Sequence, residues 1–191
     1  MLASASPRRL DLLGQIGVCP DRVVSPEIDE TPFTGEAPGA YARRMAEAKA
    51  RTVRDLDRDS YILAADTVVV AGRSILPKAE SEATAGDCLR RLSGRRHRVL
   101  GALSILTPGG AHHQRLVTTI VTFKRLQTSE IDDYLASGEW QGKAGGYAIQ
   151  GRAAVFVRYL SGSYSNVVGL PLFETWNLLT GAGFRQSGDG R

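Results

Sequence analysis

The stretch at residues 61–70, "YILAADTVVV", constrains the fold of this 191-residue chain more than any other. It is apolar almost throughout and ends in β-branched residues, as is typical of a strand buried on both faces. Asp66 and Thr67 interrupt it. A carboxylate in such a strand loses its hydration and needs a partner or a purpose. The pattern predicts a central strand with either an internal ion pair or, the reading we favour, an active-site carboxylate.

The rest of the chain alternates helices and strands in its first half and then shows paired strands. Apolar spacing and capping residues predict helices over residues 7–16, 37–56, 81–92, 129–137 and 170–179. We expect Ser6 and Ser129 to cap the helices that follow them. Further strands are predicted over 98–106, 114–126 and 154–162, with a short strand near residues 1–4. Residues 21–30 are predicted to form a strand that runs into an acidic loop. This order indicates an α/β fold on a mixed sheet, with one domain over 1–180 and a flexible tail over 181–191.

Composition narrows the class of protein. No window approaches the roughly 18 apolar residues of a membrane span, and no signal peptide is visible. Cys19 and Cys88 lack motif spacing, which excludes a cysteine-rich metal site and favours a reducing compartment. We therefore expect a cytoplasmic protein.

The net charge of +4 suggests an anionic partner. The basic cluster is Arg90, Arg91, Arg95, Arg96 and Arg98. Such a cluster could bind nucleic acid, but aromatic residues are only 7% and do not interleave with the arginines. We favour a solvated surface and expect no stable nucleic-acid partner.

Two segments near the N-terminus carry groups suited to phosphate chemistry. "EIDET" places Glu30 in an acidic run, which is either a solvated loop or a source of oxygen ligands for Mg²⁺. "SASPRR" places Ser4, Ser6, Arg8 and Arg9 at a predicted helix start. A helix N-terminus and planar guanidinium groups both suit phosphate oxygens. The alternative for this segment is a capped helix with exposed arginines.

Two lysines and a glycine-rich segment complete the candidate set. Lys49 lies on a predicted helix, where solvation is the ordinary expectation, and Lys78 follows the Asp66 strand. A lysine near a strand exit could neutralise charge on a triphosphate. "KAGGYAIQG" ends near Gln150, whose amide could read a base edge. The three histidines show no metal-ligand spacing.

Taken in order, six motifs resemble the Maf family of nucleoside triphosphate pyrophosphatases over about residues 2–179. They are "LASASPRRLDLL", "EIDET", "AADTVV", "SGRRH", "KAGGYAIQG" and "GSYSNVVGLPL". The resemblance implies a fold like that of the inosine triphosphate pyrophosphatases (Ham1), with a long mixed sheet whose two lobes flank a cleft. It implies hydrolysis of a nucleoside triphosphate to the monophosphate and pyrophosphate, with Mg²⁺ or Mn²⁺. It also implies a homodimer.

The last two motifs resemble the subgroup that acts on dTTP and UTP, and modified pyrimidine triphosphates are further candidates. The sister subgroup acts on 7-methyl-GTP and has a glutamate-containing segment in place of "AIQ". That activity is the alternative within the family. A third reading keeps the fold without catalysis, as a nucleotide sensor, but the intact Asp66, Glu30 and lysine set argues against it.

Residue by residue, the resemblance implies these roles. Asp66 is the proton acceptor and, with Glu30, the metal ligand. Lys49 and Lys78 match family lysines near the phosphates, and we expect these two catalytic lysines to stabilise charge on the pyrophosphate leaving group. The implied substrate-binding residues are Ser4, Ser6, Arg8, Arg9, Thr67 and Gln150, of which Arg8, Thr67 and Gln150 are linked to substrate choice. One departure is "LPKAE" at residues 76–80, where the family usually reads L-x-K-P.

Overall fold

The computed structural model describes residues 1–185 and contains seven strands and six α-helices in that range. The strands are β1 (Leu2–Ala3), β2 (Val23–Val24), β3 (Ile62–Ala71), β4 (Ser74–Leu76), β5 (Arg96–Leu106), β6 (His112–Phe123) and β7 (Val157–Ser161). The helices are α1 (Pro7–Gln15), α2 (Pro38–Thr52), α3 (Glu82–Leu92), α4 (Thr128–Ala136), α5 (Tyr164–Val168) and α6 (Leu172–Gly181). Of the predicted tail, residues 186–191 lie outside the described residues.

The strands form one mixed sheet in the order β2-β1-β3-β5-β6-β7, with β4 paired to β3. β1 runs parallel to β2 and β3, whereas the β3–β4 and β6–β7 pairs are antiparallel. Ala3 pairs with Ala64, so β1 ends beside the strand position that lies two residues before Asp66. This confirms the predicted α/β fold and its mixed sheet, and the register brings the start of α1 close to Asp66.

The predicted helix starts need two corrections. Ser6 occupies the N-cap position of α1, but its side chain makes no capping hydrogen bond. α4 begins one residue earlier than predicted, and Gln127 rather than Ser129 caps it through a reciprocal capping box with Glu130. Ser129 instead lies within the first turn of that helix. A glutamine cap three residues before a glutamate was the overlooked signal.

Two predicted elements are shorter than expected. The helix predicted over 37–56 ends at Thr52, and a separate 3₁₀ helix covers Arg54–Leu56. The strand predicted over 154–162 begins only at Val157, because the residues before it form another 3₁₀ helix, Arg152–Phe156. Apolar composition alone does not separate a short strand from a buried helical turn.

The described chain divides into two compact units. The first unit contains Met1–Asp66, Gly101–Val117 and the segment that starts at Gly169, and the second contains Thr67–Leu100 and Thr118–Val168. In the first unit β1 and β3 pack against the end of α2 around a small core: Ala3, Ala50, Val53, Ile62, Ala64 and Leu106. None of the described helices is long and apolar enough to cross a membrane.

The second unit has a larger core in which one glycine allows close packing. Gly145 has a φ of +67°, and a Cβ added there would lie 2.8 Å from Cγ1 of Val69. Gly142 has a similar φ of +65° but no atom within 4 Å of an added Cβ. A side chain at Gly142 would therefore meet backbone strain alone, whereas one at Gly145 would meet both backbone strain and steric overlap with Val69.

We expect Gly142→Ala to lower the free energy of unfolding by about 1–2 kcal/mol through its left-handed backbone alone. Gly145→Ala should lower it by about a further 1–3 kcal/mol because β3 must move to admit the methyl group. Urea unfolding of both variants measures the difference. Equal losses would show that the Val69 contact tolerates a side chain.

His97 is a buried histidine in the second unit and is 2% exposed. Its Nε2 lies 2.8 Å from the Tyr147 hydroxyl, and its ring meets Phe123 edge to face at 5.1 Å. Burial lowers the pKa of His97 to about 4 from an ordinary value of 6.5. Tyr147 stays protonated beside it because burial raises the pKa of that hydroxyl.

This burial predicts a loss of stability on mild acidification. Unfolded His97 binds a proton as the pH falls through 6.5, whereas folded His97 resists protonation down to about pH 4. Its contribution is complete above pH 6.5, and about 3 kcal/mol is lost between pH 6.5 and 4. Urea unfolding at several pH values should show that the free energy of unfolding of His97→Gln depends less on pH than that of the wild type. Parallel curves for the two proteins would contradict the lowered pKa of His97.

Candidate active site

An ion-pair cluster lies around Asp66 in the first unit. The Lys49 ammonium donates to Oδ1 of Asp66 at 2.6 Å and lies 2.8 Å from Oε1 of Glu30. The side chains of Lys49 and Asp66 are 9% and 7% exposed, whereas that of Glu30 is 34% exposed. Of the two sequence readings of Asp66, the ion pair is therefore present. The ion pair is not fully shielded from solvent, because the Glu30 side chain in the same cluster is partly exposed.

Three elements bring the cluster together. β3 carries Asp66 at its centre, and Lys49 lies in the last turns of α2. Glu30 belongs to the irregular segment between β2 and α2, which has no strand partners to fix it. Its position therefore depends on side-chain contacts from α2.

Tyr41 and Arg44, one turn apart on α2, hold the acidic segment. The Tyr41 hydroxyl donates to the backbone carbonyl of Glu30 at 2.8 Å, and Arg44 donates to the carbonyl of Thr31 at 3.1 Å. Burial, followed by the charges of Asp66 and Glu30, raises the pKa of Tyr41 to about 12, so it remains a donor at neutral pH.

Arg44 is itself fixed on both sides. Its guanidinium donates to both carboxylate oxygens of Glu36, at 2.8 and 2.7 Å, and stacks 3.8 Å from the Phe33 ring centre. A planar guanidinium can donate two parallel hydrogen bonds to a carboxylate and can stack on the face of an aromatic ring. Sequence reasoning missed Tyr41 and Arg44, because only the folded acidic segment shows what they contact.

The first motif places its two arginines differently. Arg9 is buried, and its guanidinium donates to the Gly169 carbonyl and to the Ser4 hydroxyl, both at 2.9 Å. Burial lowers the pKa of Arg9, while the charges of Asp66 and Glu30 act in the opposite direction. Arg8 is only half-buried. The reading in which both arginines are exposed is therefore wrong for Arg9.

Ser4 organises the start of α1. Its buried hydroxyl accepts from Arg9 and also from the backbone N–H of Ser6 at 3.2 Å. The first unit thus brings Ser4, Arg9, Glu30, Lys49 and Asp66 into one charged neighbourhood, since the pKa of Arg9 responds to both carboxylates. The Gly169 carbonyl belongs to this set and was missed, because it lies 160 residues away along the chain.

In the second unit, the Lys78 segment pairs with the start of the glycine-rich segment. Lys78 and Ala144 form an antiparallel bridge. The N–H of Ala79 donates to the Lys143 carbonyl at 3.0 Å, and the N–H of Gly142 donates to the Ala79 carbonyl at 2.8 Å. A proline at position 79, as the family pattern has, could not donate that first bond. The departure from the pattern therefore adds a backbone tie at Lys78.

Gln150 stands at the end of the same glycine-rich segment. Residues 145–149 are buried, and Gln150 is the exposed residue that follows them. Thr67, the first residue of the second unit, is half-buried on β3. Lys78 and Gln150 are thus carried by one hydrogen-bonded pair of segments.

The carboxylates of the first unit fit a hard divalent cation. Oxygens of Glu30 and Asp66 both contact one ammonium group, so they lie close enough to share a cation. Among residues 1–185, no three His, Cys, Asp or Glu side chains gather into a metal-binding group. Mg²⁺ commonly binds through one or two carboxylates and takes its other ligands from water and phosphates. A two-carboxylate set suits that mode of binding.

Comparison with solved structures finds chains of weak similarity, including the following two. One is a nucleoside-triphosphatase (dITP/XTP pyrophosphatase) from Mycobacterium abscessus, with a TM-score of 0.41 and 21% identity over 65% of this chain and 72% of that chain. The other is the Ham1 protein of Staphylococcus aureus, with a TM-score of 0.43 and 19% identity over 64% and 70%.

Sequence comparison finds much closer relatives. A dTTP/UTP pyrophosphatase of Rhodospirillum rubrum is 58% identical over 100% of this chain and 90% of its own length. Those of Paramagnetospirillum magneticum and Caulobacter vibrioides are 61% and 57% identical, over 96% and 97% of this chain and 97% and 96% of theirs. The family described as Maf-like protein matches residues 1–182. The chain belongs to the Maf family.

Proposed function

We propose that this protein is a dTTP/UTP pyrophosphatase, which hydrolyses these triphosphates to the monophosphate and pyrophosphate. The observation that carries the proposal is the Asp66–Lys49–Glu30 cluster, since it supplies a buried carboxylate beside a second, more open one. Relatives named dTTP/UTP pyrophosphatase, 57–61% identical over nearly the whole chain, support the substrate.

Asp66 is the base in this mechanism. Its carboxylate accepts a proton from a water molecule as the water oxygen bonds to the α-phosphorus. The bond from that phosphorus to the bridging oxygen breaks, and its electron pair leaves with pyrophosphate. The Lys49 ammonium donates to Oδ1 of Asp66 and fixes the orientation of this carboxylate. The leaving-group role predicted for Lys49 stays a prediction beside this one.

Glu30 and Asp66 would hold the divalent cation. When bound, Mg²⁺ or Mn²⁺ neutralises phosphate oxygens. Tyr41 and Arg44 keep the backbone around Glu30 in place, so this carboxylate does not have to be ordered when substrate binds.

The remaining residues bind and select the substrate. The start of α1 and the half-buried Arg8 suit phosphate oxygens, while Arg9 fixes Ser4 behind them. Lys78 is exposed and able to contact phosphate. We assign Thr67 and Gln150 to the choice of base, as the family resemblance implies.

Pyrophosphate release across a panel of triphosphates tests the proposal. We expect activity with Mg²⁺ or Mn²⁺ on dTTP and UTP, and little on 7-methyl-GTP. The reverse preference would assign the chain to the sister activity. Tight triphosphate binding without turnover would indicate a nucleotide sensor. Binding to nucleic acid rather than to free nucleotides, with an affinity that falls steeply as salt is added, would instead favour a nucleic-acid-binding function of the basic cluster.

We further propose a homodimer that works in the cytoplasm. Phe173 and Trp176, one turn apart on α6, are 74% and 37% exposed and suit a subunit contact. Cys19 and Cys88 are both free thiols, which suits a reducing compartment. Sedimentation velocity of the wild type and of Phe173→Ser tests the dimer.

A further inference from the structure

Beyond its bridge to Lys78 at Ala144, the segment that presents Gln150 is held by two side chains, the buried Tyr134 and the half-buried Glu139. The N–H of Ala148 donates to the Tyr134 hydroxyl at 3.0 Å, and the N–H of Arg152 donates to Oε2 of Glu139 at 2.7 Å. Residues 145–149 are buried, and Gln150 is the exposed residue that follows them. The backbone of Gln150 therefore takes its position from the groups behind it.

Tyr147, next to Ala148, is tied through its side chain. Its hydroxyl lies 2.8 Å from Nε2 of His97, and the two rings meet edge to face at 5.5 Å. Phe123 packs edge to face on both rings, 5.1 Å from His97 and 4.9 Å from Tyr147. The Tyr147 hydroxyl therefore lies within hydrogen-bond distance of Nε2 of His97, and both rings pack in one aromatic cluster with Phe123.

The direction of that hydrogen bond follows from counting polar groups. Nδ1 of His97 is buried and has no hydrogen-bond partner among the described residues. If Nε2 accepts from Tyr147, only the Nδ1–H group is left over. If Nε2–H donates instead, both Nδ1 and the tyrosine hydrogen are left over. The first arrangement costs less, so Tyr147 donates to a neutral imidazole.

We propose that His97 is a positioning residue for base selection, because it fixes Tyr147 and through it the backbone that presents Gln150. The proposal rests on the proposed function, in which Gln150 reads the base. A phenylalanine would fill the same space without leaving a buried nitrogen unpaired, so packing alone does not explain a histidine here. The hydrogen bond to Tyr147 does.

Three substitutions test the hydrogen bond separately from the packing. Tyr147→Phe removes only the hydroxyl, and His97→Phe keeps a ring but removes the acceptor. His97→Gln offers an acceptor at a similar reach and should rescue. Tyr159→Phe is the matched control, because Tyr159 lies on β7 and is 61% exposed.

The readout is the ratio of kcat/KM for UTP to that for CTP, together with inhibition by inorganic tripolyphosphate, which has no base. We expect Tyr147→Phe and His97→Phe to lower the ratio about tenfold, mainly through KM. The inhibition constant of tripolyphosphate should stay unchanged. His97→Gln and Tyr159→Phe should keep the ratio within about threefold.

An unchanged UTP-to-CTP ratio in the folded Tyr147→Phe protein would overturn the proposal. So would an equal weakening of UTP, CTP and tripolyphosphate with a lowered Tm, since that is the result of a purely structural role. The wild-type panel is measured first and tests the proposed function independently. If the wild type prefers 7-methyl-GTP, the proposed function fails, and the same variants test His97 on that preference.

Discussion

Replacing Asp66 by asparagine is expected to slow pyrophosphate release from dTTP and UTP by about 10²- to 10⁴-fold, the usual contribution of a general base. The asparagine side chain keeps the shape of the aspartate, so β3 and the core around it should be unaffected. Lys49 keeps Glu30 as a partner at 2.8 Å, and the ammonium is not left without a counter-charge. The loss should therefore appear in kcat, with KM for the triphosphate changed much less.

Asp87→Asn is the matched control, because Asp87 forms an exposed pair with Arg90 on α3. It makes the same chemical change on the surface and should leave turnover within about twofold, since exposed ion pairs contribute little. Steady-state kinetics at saturating Mg²⁺ measure both variants, and urea unfolding checks that both are folded. Turnover of Asp66→Asn close to that of Asp87→Asn would remove Asp66 from the role of base.

The strand around Asp66 illustrates what local sequence can predict. A long apolar run with one carboxylate predicts a buried strand and a charge that needs a partner, and both are present in β3. The partner of Asp66 could not be predicted from local sequence in the same way. Lys49 looks like an ordinary helical lysine until α2 is placed against β3, because its burial depends on packing rather than on its neighbours along the chain.

The same limit applies to the residues that hold the site. Gly169 accepts from Arg9 across 160 residues, and the tie between Ala79 and Lys143 spans much of the second unit's sequence. Neither has a periodic or motif signal, since each depends on where two distant segments meet. The two errors at Ser6 and Ser129 have another origin. Ser6 occupies the N-cap position without using its side chain, and the cap of α4 is Gln127, two residues before Ser129.

Replacing Lys49 by methionine is expected to lower the free energy of unfolding by about 3–5 kcal/mol, because it leaves a buried carboxylate without its counter-charge. Methionine fills most of the space of the lysine stem, so the loss comes from charge rather than from a cavity. Asp66 is 7% exposed and cannot recover its hydration in the folded state. The remaining pair, Asp66 and Glu30, also consists of like charges that the ammonium had held together.

Lys124→Met makes the same substitution in the pair between Lys124 and Glu130, whose side chains are 41% and 30% exposed. Because that pair is solvated, its loss should cost about 1 kcal/mol or less. Adding Mg²⁺ should restore part of the stability of Lys49→Met and none of that of Lys124→Met, since only the first variant exposes two carboxylates to a cation. Urea unfolding with Mg²⁺ and with a chelator measures both effects. If the two variants lose the same free energy, the cluster around Asp66 is solvated in solution. If Mg²⁺ restores nothing to Lys49→Met, Glu30 and Asp66 do not form the cation site.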